Sequence, residues 1–130
     1  MQIKNIILAS KSPRRKELLN LLDLNFNVEV PEVDEVFPES LDVTKVAEYL
    51  ANLKAEAFTN ISSDTVVITS DTVVILDESI LGKPKNKTEA LKMLQSLSNR
   101  NHKVMTGVCI KSKDKTISFS NTTKVFFKEL

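Results

Sequence analysis

Residues 65–76 constrain the fold more than any other stretch of this 130-residue chain. Val66, Ile68, Val74 and Leu76 share one parity, and Val67, Val73 and Ile75 share the other. Successive side chains of a strand point to opposite faces, so a run apolar at both parities is expected to be covered on both sides. Such a strand belongs in the middle of a sheet, with other elements packed above and below it. One polar interruption, Thr69-Ser70-Asp71-Thr72, falls in its centre.

The rest of the chain supplies the covering elements. Residues 3–9 read as a short buried strand. Ser12 offers an N-cap hydroxyl and Pro13 suits the first helical position, so a helix is expected over residues 13–22 with Leu18, Leu19 and Leu22 facing inward. Residues 25–30 form a second expected strand, and residues 31–41, rich in proline and acids, a loop. Ser40 or Asp42 can cap a helix running to about residue 59. Its inward stripe, at helical spacing, is Val43, Ala47, Leu50, Lys54 and Ala57. Gly82-Lys83-Pro84 breaks the chain, and Asn86 with Glu89 resembles a capping box opening a helix through Leu97. Residues 104–110 and 116–127 read as strands joined by a polar turn at residues 111–115. The alternation predicts a single α/β domain over residues 1–130.

Composition narrows the function. Hydrophobic residues make up 42%, which argues against disorder. Lys plus Arg number 18 and Asp plus Glu 17, so a strongly basic nucleic-acid binder is excluded on bulk charge. A local cluster of cations can still hold a small anion. No stretch approaches the roughly 20 apolar residues of a membrane helix, and the N-terminus lacks the secretory pattern. The lone cysteine, Cys109, cannot form a disulfide within the chain, which is consistent with a reducing cytoplasm. Its apolar neighbours Val108 and Ile110 make it a small buried hydrophobe.

Chemistry gathers in three places. Ser10 and Ser12 supply hydroxyls, and Arg14 and Arg15 supply two forks for phosphate oxygens. The helix start behind them adds free N–H groups and a favourable dipole. Together these make a triphosphate cradle, or else an ordinary capped helix with solvated arginines. It is not a P-loop, because the two glycines, Gly82 and Gly107, are far away in sequence. Second, Asp71 interrupts a buried strand. A buried carboxylate is costly unless paired or bound, so Asp71 is a metal ligand, a general base, or a strand-end group meeting solvent. Third, Lys54 lies on an apolar helix face, as a phosphate ligand or a snorkelling lysine. Lys83, Asp34 and Glu35 are weaker single signals. Asp71 and Glu35 together could hold a divalent cation while the basic residues hold phosphates. The lone His102 forms no multi-histidine site, and a hydrogen-bonded structural role suits it.

In order along the chain, several segments resemble the Maf family of nucleoside triphosphate pyrophosphatases. They are Leu8-Ala9-Ser10-Lys11-Ser12-Pro13-Arg14-Arg15, Val33-Asp34-Glu35, Lys54-Ala55, Ser70-Asp71-Thr72-Val73-Val74, Gly82-Lys83-Pro84 and His102-Lys103-Val104-Met105-Thr106-Gly107. The resemblance implies an elongated mixed twisted sheet flanked by helices, shared with inosine triphosphate pyrophosphatases, with a cleft between two lobes. It implies cleavage of a nucleoside triphosphate to the monophosphate and pyrophosphate, assisted by Mg²⁺ or Mn²⁺. Asp71 resembles the family's catalytic acidic residue, assigned as proton acceptor, and Glu35 its partner in metal or water binding. Ser10, Arg14, Arg15, Lys54 and Lys83 match phosphate-holding positions, and Ser12 belongs to the same cradle. Arg14 and Thr72 match positions linked to substrate choice and resemble the dTTP/UTP branch. Asn99 stands where the family usually has glycine. Family members continue past Leu130 with a segment that helps to complete the pocket, so the resemblance implies a C-terminally shortened member. A sheet edge and apolar surface are then expected to be uncovered, which favours a homodimer. A non-catalytic nucleotide-binding or septum-related module is the alternative.

Overall fold

The computed structural model describes residues 3–82 and 85–128. Their strands form one mixed sheet: β1 (Asn5–Ala9), β2 (Asn27–Val28), β3 (Thr65–Leu76), β4 (Ser79–Leu81), β5 (Asn101–Lys111) and β6 (Thr116–Phe126). The helices are α1 (Pro13–Leu21), α2 (Val46–Glu56) and α3 (Lys87–Leu97). The main strand order is β2-β1-β3-β5-β6, with β4 paired to β3. β3 is central as expected, parallel to β1 and antiparallel to β4 and β5. No helix among the described residues is long and apolar enough to cross a membrane.

The two faces of β3 are covered unequally. Thr65, Val67, Thr69, Val73 and Ile75 are buried on one face, against α2. On the other face, Ser70 and Leu76 are buried, but Val66, Ile68 and Val74 are only half-buried. The sequence therefore overstates the cover on that second face. The expected inward leucines of α1 are the counterpart. Leu18 is 54% exposed and Leu22 67%, while Leu19 is half-buried. No residue of α1 is buried, because the helix overhangs a groove rather than lying on the sheet.

The opposite helix is seated closely. Val46, Ala47 and Leu50 of α2 pack with Val73, Ile75 and Met105, and Phe37, Leu41 and Val43 close over them. Full burial of Val46 or Leu50 contributes roughly 1.5–3 kcal/mol each. Further along, Ala51 and Ala55 meet Cys109. Gly107 is what permits this approach. A Cβ there would come within about 2.3 Å of Ala47 and Glu48 backbone atoms. Polar bonds fix the helix further: Thr69 donates its hydroxyl to Ala51 O, and Lys111 Nζ donates to Phe58 O at 2.8 Å and to Ala55 O at 3.3 Å. Lys111, read as a turn residue, thus ends β5 and satisfies carbonyls at the end of α2.

Element ends differ from expectation in physically readable ways. Asp42 does cap, accepting from Thr44 N, but it opens a 3₁₀ turn at Val43–Lys45 before α2. Hydrogen bonds from the Thr44 hydroxyl, first, and from Thr44 N hold the Asp42 carboxyl below its ordinary pKa. α2 stops at Glu56 rather than residue 59, leaving Ala57 exposed and Val43 half-buried at the ends of the expected stripe. β2 shrinks to two residues. β4 was not foreseen, and it returns from β3 through Asp77 at a left-handed φ of 57°. Asn99 takes the same conformation, φ 54°, the one that favours glycine or asparagine, so its replacement of glycine costs little. α3 is capped by Asn86 Oδ1 on Glu89 N, and Glu89 in turn accepts from Lys85 N.

Candidate active site

β3 loses its neighbour on one side where the polar residues lie. β1 accompanies it as far as the Ala9–Thr69 pair, and β4 joins that side only at Val74. Residues 70–73 therefore pair with β5 alone among the described residues. This opening exposes main-chain polar groups to side chains from both sheet faces. Lys54, from α2, donates to Ser70 O at 3.3 Å. Arg15, from α1, donates to the same oxygen at 3.4 Å. The two cations thus converge on one carbonyl.

Alternation of β3 assigns the flanking side chains. Asp71 shares the α2 face, where its Oδ2 lies 3.5 Å from Lys54 Nζ. Glu35 reaches the same ammonium from the loop, Oε1 to Nζ 3.1 Å. That loop is pinned by Phe37 and Leu41, which pack on the core just beyond it. Thr72 shares the opposite face, where its hydroxyl accepts from Arg15 Nη2 at 2.9 Å and lies 3.2 Å from that of Thr106. Arg15 Nη1 also donates to Ser10 Oγ at 3.0 Å. Ser10 Oγ accepts from Ser12 N, and Ser12 Oγ from Arg15 N, so the serines shape the turn into α1.

The charged and hydroxyl side chains of this set, other than Ser70 and Thr106, line one cavity of about 540 Å³, together with Lys11, Val30, Pro31 and Val33. Of the residues expected from sequence, it gathers Ser10, Ser12, Arg15, Glu35, Lys54, Asp71 and Thr72. Arg14 is elsewhere. It lines an adjoining apolar groove of about 730 Å³ with Leu8, Leu18, Val104, Thr106 and Val125. Ser12, Arg15 and Thr72 border both spaces. Lys83 lies outside the described residues. Three contributors were missed. Lys11 stands in the motif without a distinguishing signal, Ser70 acts through its carbonyl, and Thr106, on β5, acts through its hydroxyl contact with Thr72 on β3. The carbonyl leaves no side-chain signal, and the Thr106 pairing needs the strand register.

The chemistry of the cavity is that of an anion site with acid–base capacity. Lys11, Arg15 and Lys54 oppose Asp71 and Glu35. Asp71 Oδ1 accepts from Thr72 N at 2.8 Å, while its buried Oδ2 has no hydrogen-bond partner and meets Lys54 as an ion pair alone. A buried carboxylate oxygen without a hydrogen bond is chemically suited to accept one from water or to coordinate a cation. No group of three potential ligands occurs among the described residues, so a cation would rest on Glu35 and Asp71 and take further oxygens from water and phosphate. That donor set suits Mg²⁺, which keeps several waters and few carboxylates. Cys109 takes no part. Burial pushes its thiol pKa up, so little thiolate forms at neutral pH, and its Sγ donates to Asn52 Oδ1. His102 is buried edge-on to Phe127, ring centroids 4.8 Å apart, but its buried Nδ1 has no hydrogen-bond partner among the described residues, so its place rests on packing rather than on the expected hydrogen bonding.

Residues 5–130 match the family described as Maf-like protein. The chain belongs to the Maf family. Among similar proteins, that of Flavobacterium psychrophilum named dTTP/UTP pyrophosphatase is 47% identical over 126 residues, covering 96% of this Maf chain and 65% of the relative. Proteins of the same name from Porphyromonas gingivalis and Bacillus anthracis are 48% and 47% identical over 129 and 128 residues. The chain spans about 65% of the first relative's length. The fold is similar to the Staphylococcus aureus Ham1 protein, with a TM-score of 0.62 and 17% identity over 93% of this chain and 70% of that one. A HAM1 protein from Coxiella burnetii gives 0.59 at 18% identity, over 95% and 72%. The mixed sheet flanked by helices, expected for a Maf protein, is the sheet observed.

Proposed function

We propose that this Maf protein hydrolyses dTTP/UTP-like nucleoside triphosphates to the monophosphate and pyrophosphate. The carrying observation is the cavity at the β3 opening, where Asp71 and Glu35 face Lys54 beside Arg15 and Ser10. The names of its relatives support the substrate class.

In this reading the phosphate chain lies in the 540 Å³ cavity, with the base toward the apolar groove. Arg15, Lys54 and Lys11 neutralise its charge, and Lys83 joins them. Arg14 and Thr72 border the base end and bear on substrate choice. Asp71 accepts a proton from the attacking water, and Glu35 orients that water. Oxygen adds at the α-phosphorus, the α–β bridging P–O bond breaks, and pyrophosphate leaves with the bond's electron pair. Glu35 and Asp71 would hold Mg²⁺ or Mn²⁺, which when bound supplies charge neutralisation on the phosphate oxygens. Cytoplasmic residence, no nucleic-acid partner and a homodimer complete the proposal.

The test is pyrophosphate release from a nucleotide panel with Mg²⁺ or Mn²⁺. Turnover of dTTP or UTP is expected, and Asp71→Asn is expected to lower it by about 10²–10⁴-fold. Full activity in Asp71→Asn would remove Asp71 from the chemistry. Saturable nucleotide binding without release would favour the non-catalytic module.

A further inference from the structure

Lys54 occupies an unusual place for a phosphate ligand. Its ammonium lies 3.1 Å from Glu35 Oε1 and 3.5 Å from Asp71 Oδ2, the two carboxylates suited to a divalent cation. It is also hydrogen-bonded to Ser70 O. We infer that Lys54 is an exchangeable counter-ion, holding the carboxylate pair in the absence of ligand and giving it up when a divalent cation arrives. The inference rests on the proposed role of Glu35 and Asp71 as the cation-holding pair.

Charge and space drive the exchange. Two carboxylates that share one ammonium repel each other, most strongly at the largely buried Asp71, while the Glu35 side chain, 49% exposed, is partly screened by water. The Asp71 side chain is 15% exposed and that of Lys54 19%. One ammonium offsets the repulsion incompletely, and Asp71 Oδ2 gains no hydrogen bond from it. A divalent ion between the same oxygens carries twice the charge. The ammonium and the ion would then compete for the same carboxylate oxygens. The base of Lys54 cannot retreat, because α2 is fixed against Gly107 and Cys109. Its four-carbon stem can swing, and the phosphate cavity beside it offers oxygens as new partners. One side-chain movement therefore frees both carboxylates and delivers a cation to the phosphates.

The consequence is direct competition between Lys54 and metal, readable without nucleotide or turnover. Mn²⁺ binding to the chain is measured by electron paramagnetic resonance of free Mn²⁺, for wild type, Lys54→Met and Lys54→Arg. Lys54→Met keeps the packed stem and removes the charge, so at least tenfold tighter Mn²⁺ binding is expected. Lys54→Arg keeps the charge and is expected to stay near wild type. Equal or weaker binding by Lys54→Met would overturn the inference, as would equal tightening in Lys54→Arg. The wild-type chain gives a second readout. The Lys54 side-chain carbon resonances should shift on titration with diamagnetic Mg²⁺, and unmoved resonances at saturating Mg²⁺ count against exchange. Glu35→Gln separates the two readings. If it leaves Mn²⁺ binding unchanged, the carboxylate pair itself is misassigned. If it weakens binding while Lys54→Met does not tighten it, the competition alone fails.

Discussion

Arg14 and Arg15 are adjacent and carry the same charge, yet α1 sends them to different places. Arg15 is held at three points, Ser10 Oγ, Ser70 O and Thr72 Oγ1. Those bonds use the planar fork, which a lysine's single ammonium cannot reproduce. Hydrogen bonds to charged groups contribute about 1.5–3 kcal/mol. Arg15→Lys is therefore expected to lower kcat/KM for dTTP or UTP by about tenfold or more. Arg14→Lys, outside the phosphate cavity, is expected to keep pyrophosphate release within about threefold and to change the preference among bases instead. Steady-state kinetics on a nucleotide panel check both. In a double-mutant cycle, Thr72→Val should cost less in the Arg15→Lys background than alone, because the two share one bond. The motif made both arginines visible in the sequence. It could not rank them, because the ranking depends on a main-chain carbonyl at a gap between strands.

At the scale of elements, the decisive contact is α2 on β5. Ala47, Ala51 and Ala55 give α2 a low ridge, and Gly107 gives β5 a matching hollow. A methyl group at position 107 would meet backbone rather than a flexible side chain. Gly107→Ala is accordingly expected to destabilise the fold by about 3 kcal/mol or more, read as a fall in the urea midpoint. Gly82 is the control. Among the described residues nothing lies within 4 Å of a Cβ built there, and its φ is not left-handed. Gly82→Ala is expected to be neutral or to stabilise by up to about 1 kcal/mol. A Gly107→Ala chain as stable as Gly82→Ala would mean that α2 sits higher on the sheet. The sequence reveals that α2 has an apolar stripe but not that its backbone touches the sheet. It likewise places β3 in the centre, since a run apolar at both parities has few other homes. It misses β4, whose three residues are too short for any period to register. It misplaces the α1 leucines because helical spacing reports a common face, not what lies opposite that face.

The molecule as a whole is asymmetric about its sheet. The α2 side holds the buried core, whereas the α1 side is a groove bordered by half-covered strands. Leu18, Leu21 and Leu22 stand exposed there, and no residue of α1 is buried. Arg15 is the main tie from α1 to the centre of the sheet. Local stability should follow this division, since openings occur first where few apolar contacts must break. In hydrogen exchange, amides of α1 are expected to exchange by local opening, well before those of β3, β5 and α2. An anion in the phosphate cavity changes this. In the proposed binding mode it would engage Arg15 and the N–H groups at the start of α1, so opening the helix would then require releasing the ligand. Inorganic tripolyphosphate with Mg²⁺ is therefore expected to raise protection of α1 by at least tenfold. The rise should exceed that of β3, whose slowest amides follow the global stability alone. Equal protection of α1 and β3 without ligand would show α1 to be held by more than Arg15. A ligand effect equal in both elements would show the anion to bind without engaging α1. The expected pattern, in contrast, makes the triphosphate itself the part that joins α1 to the sheet.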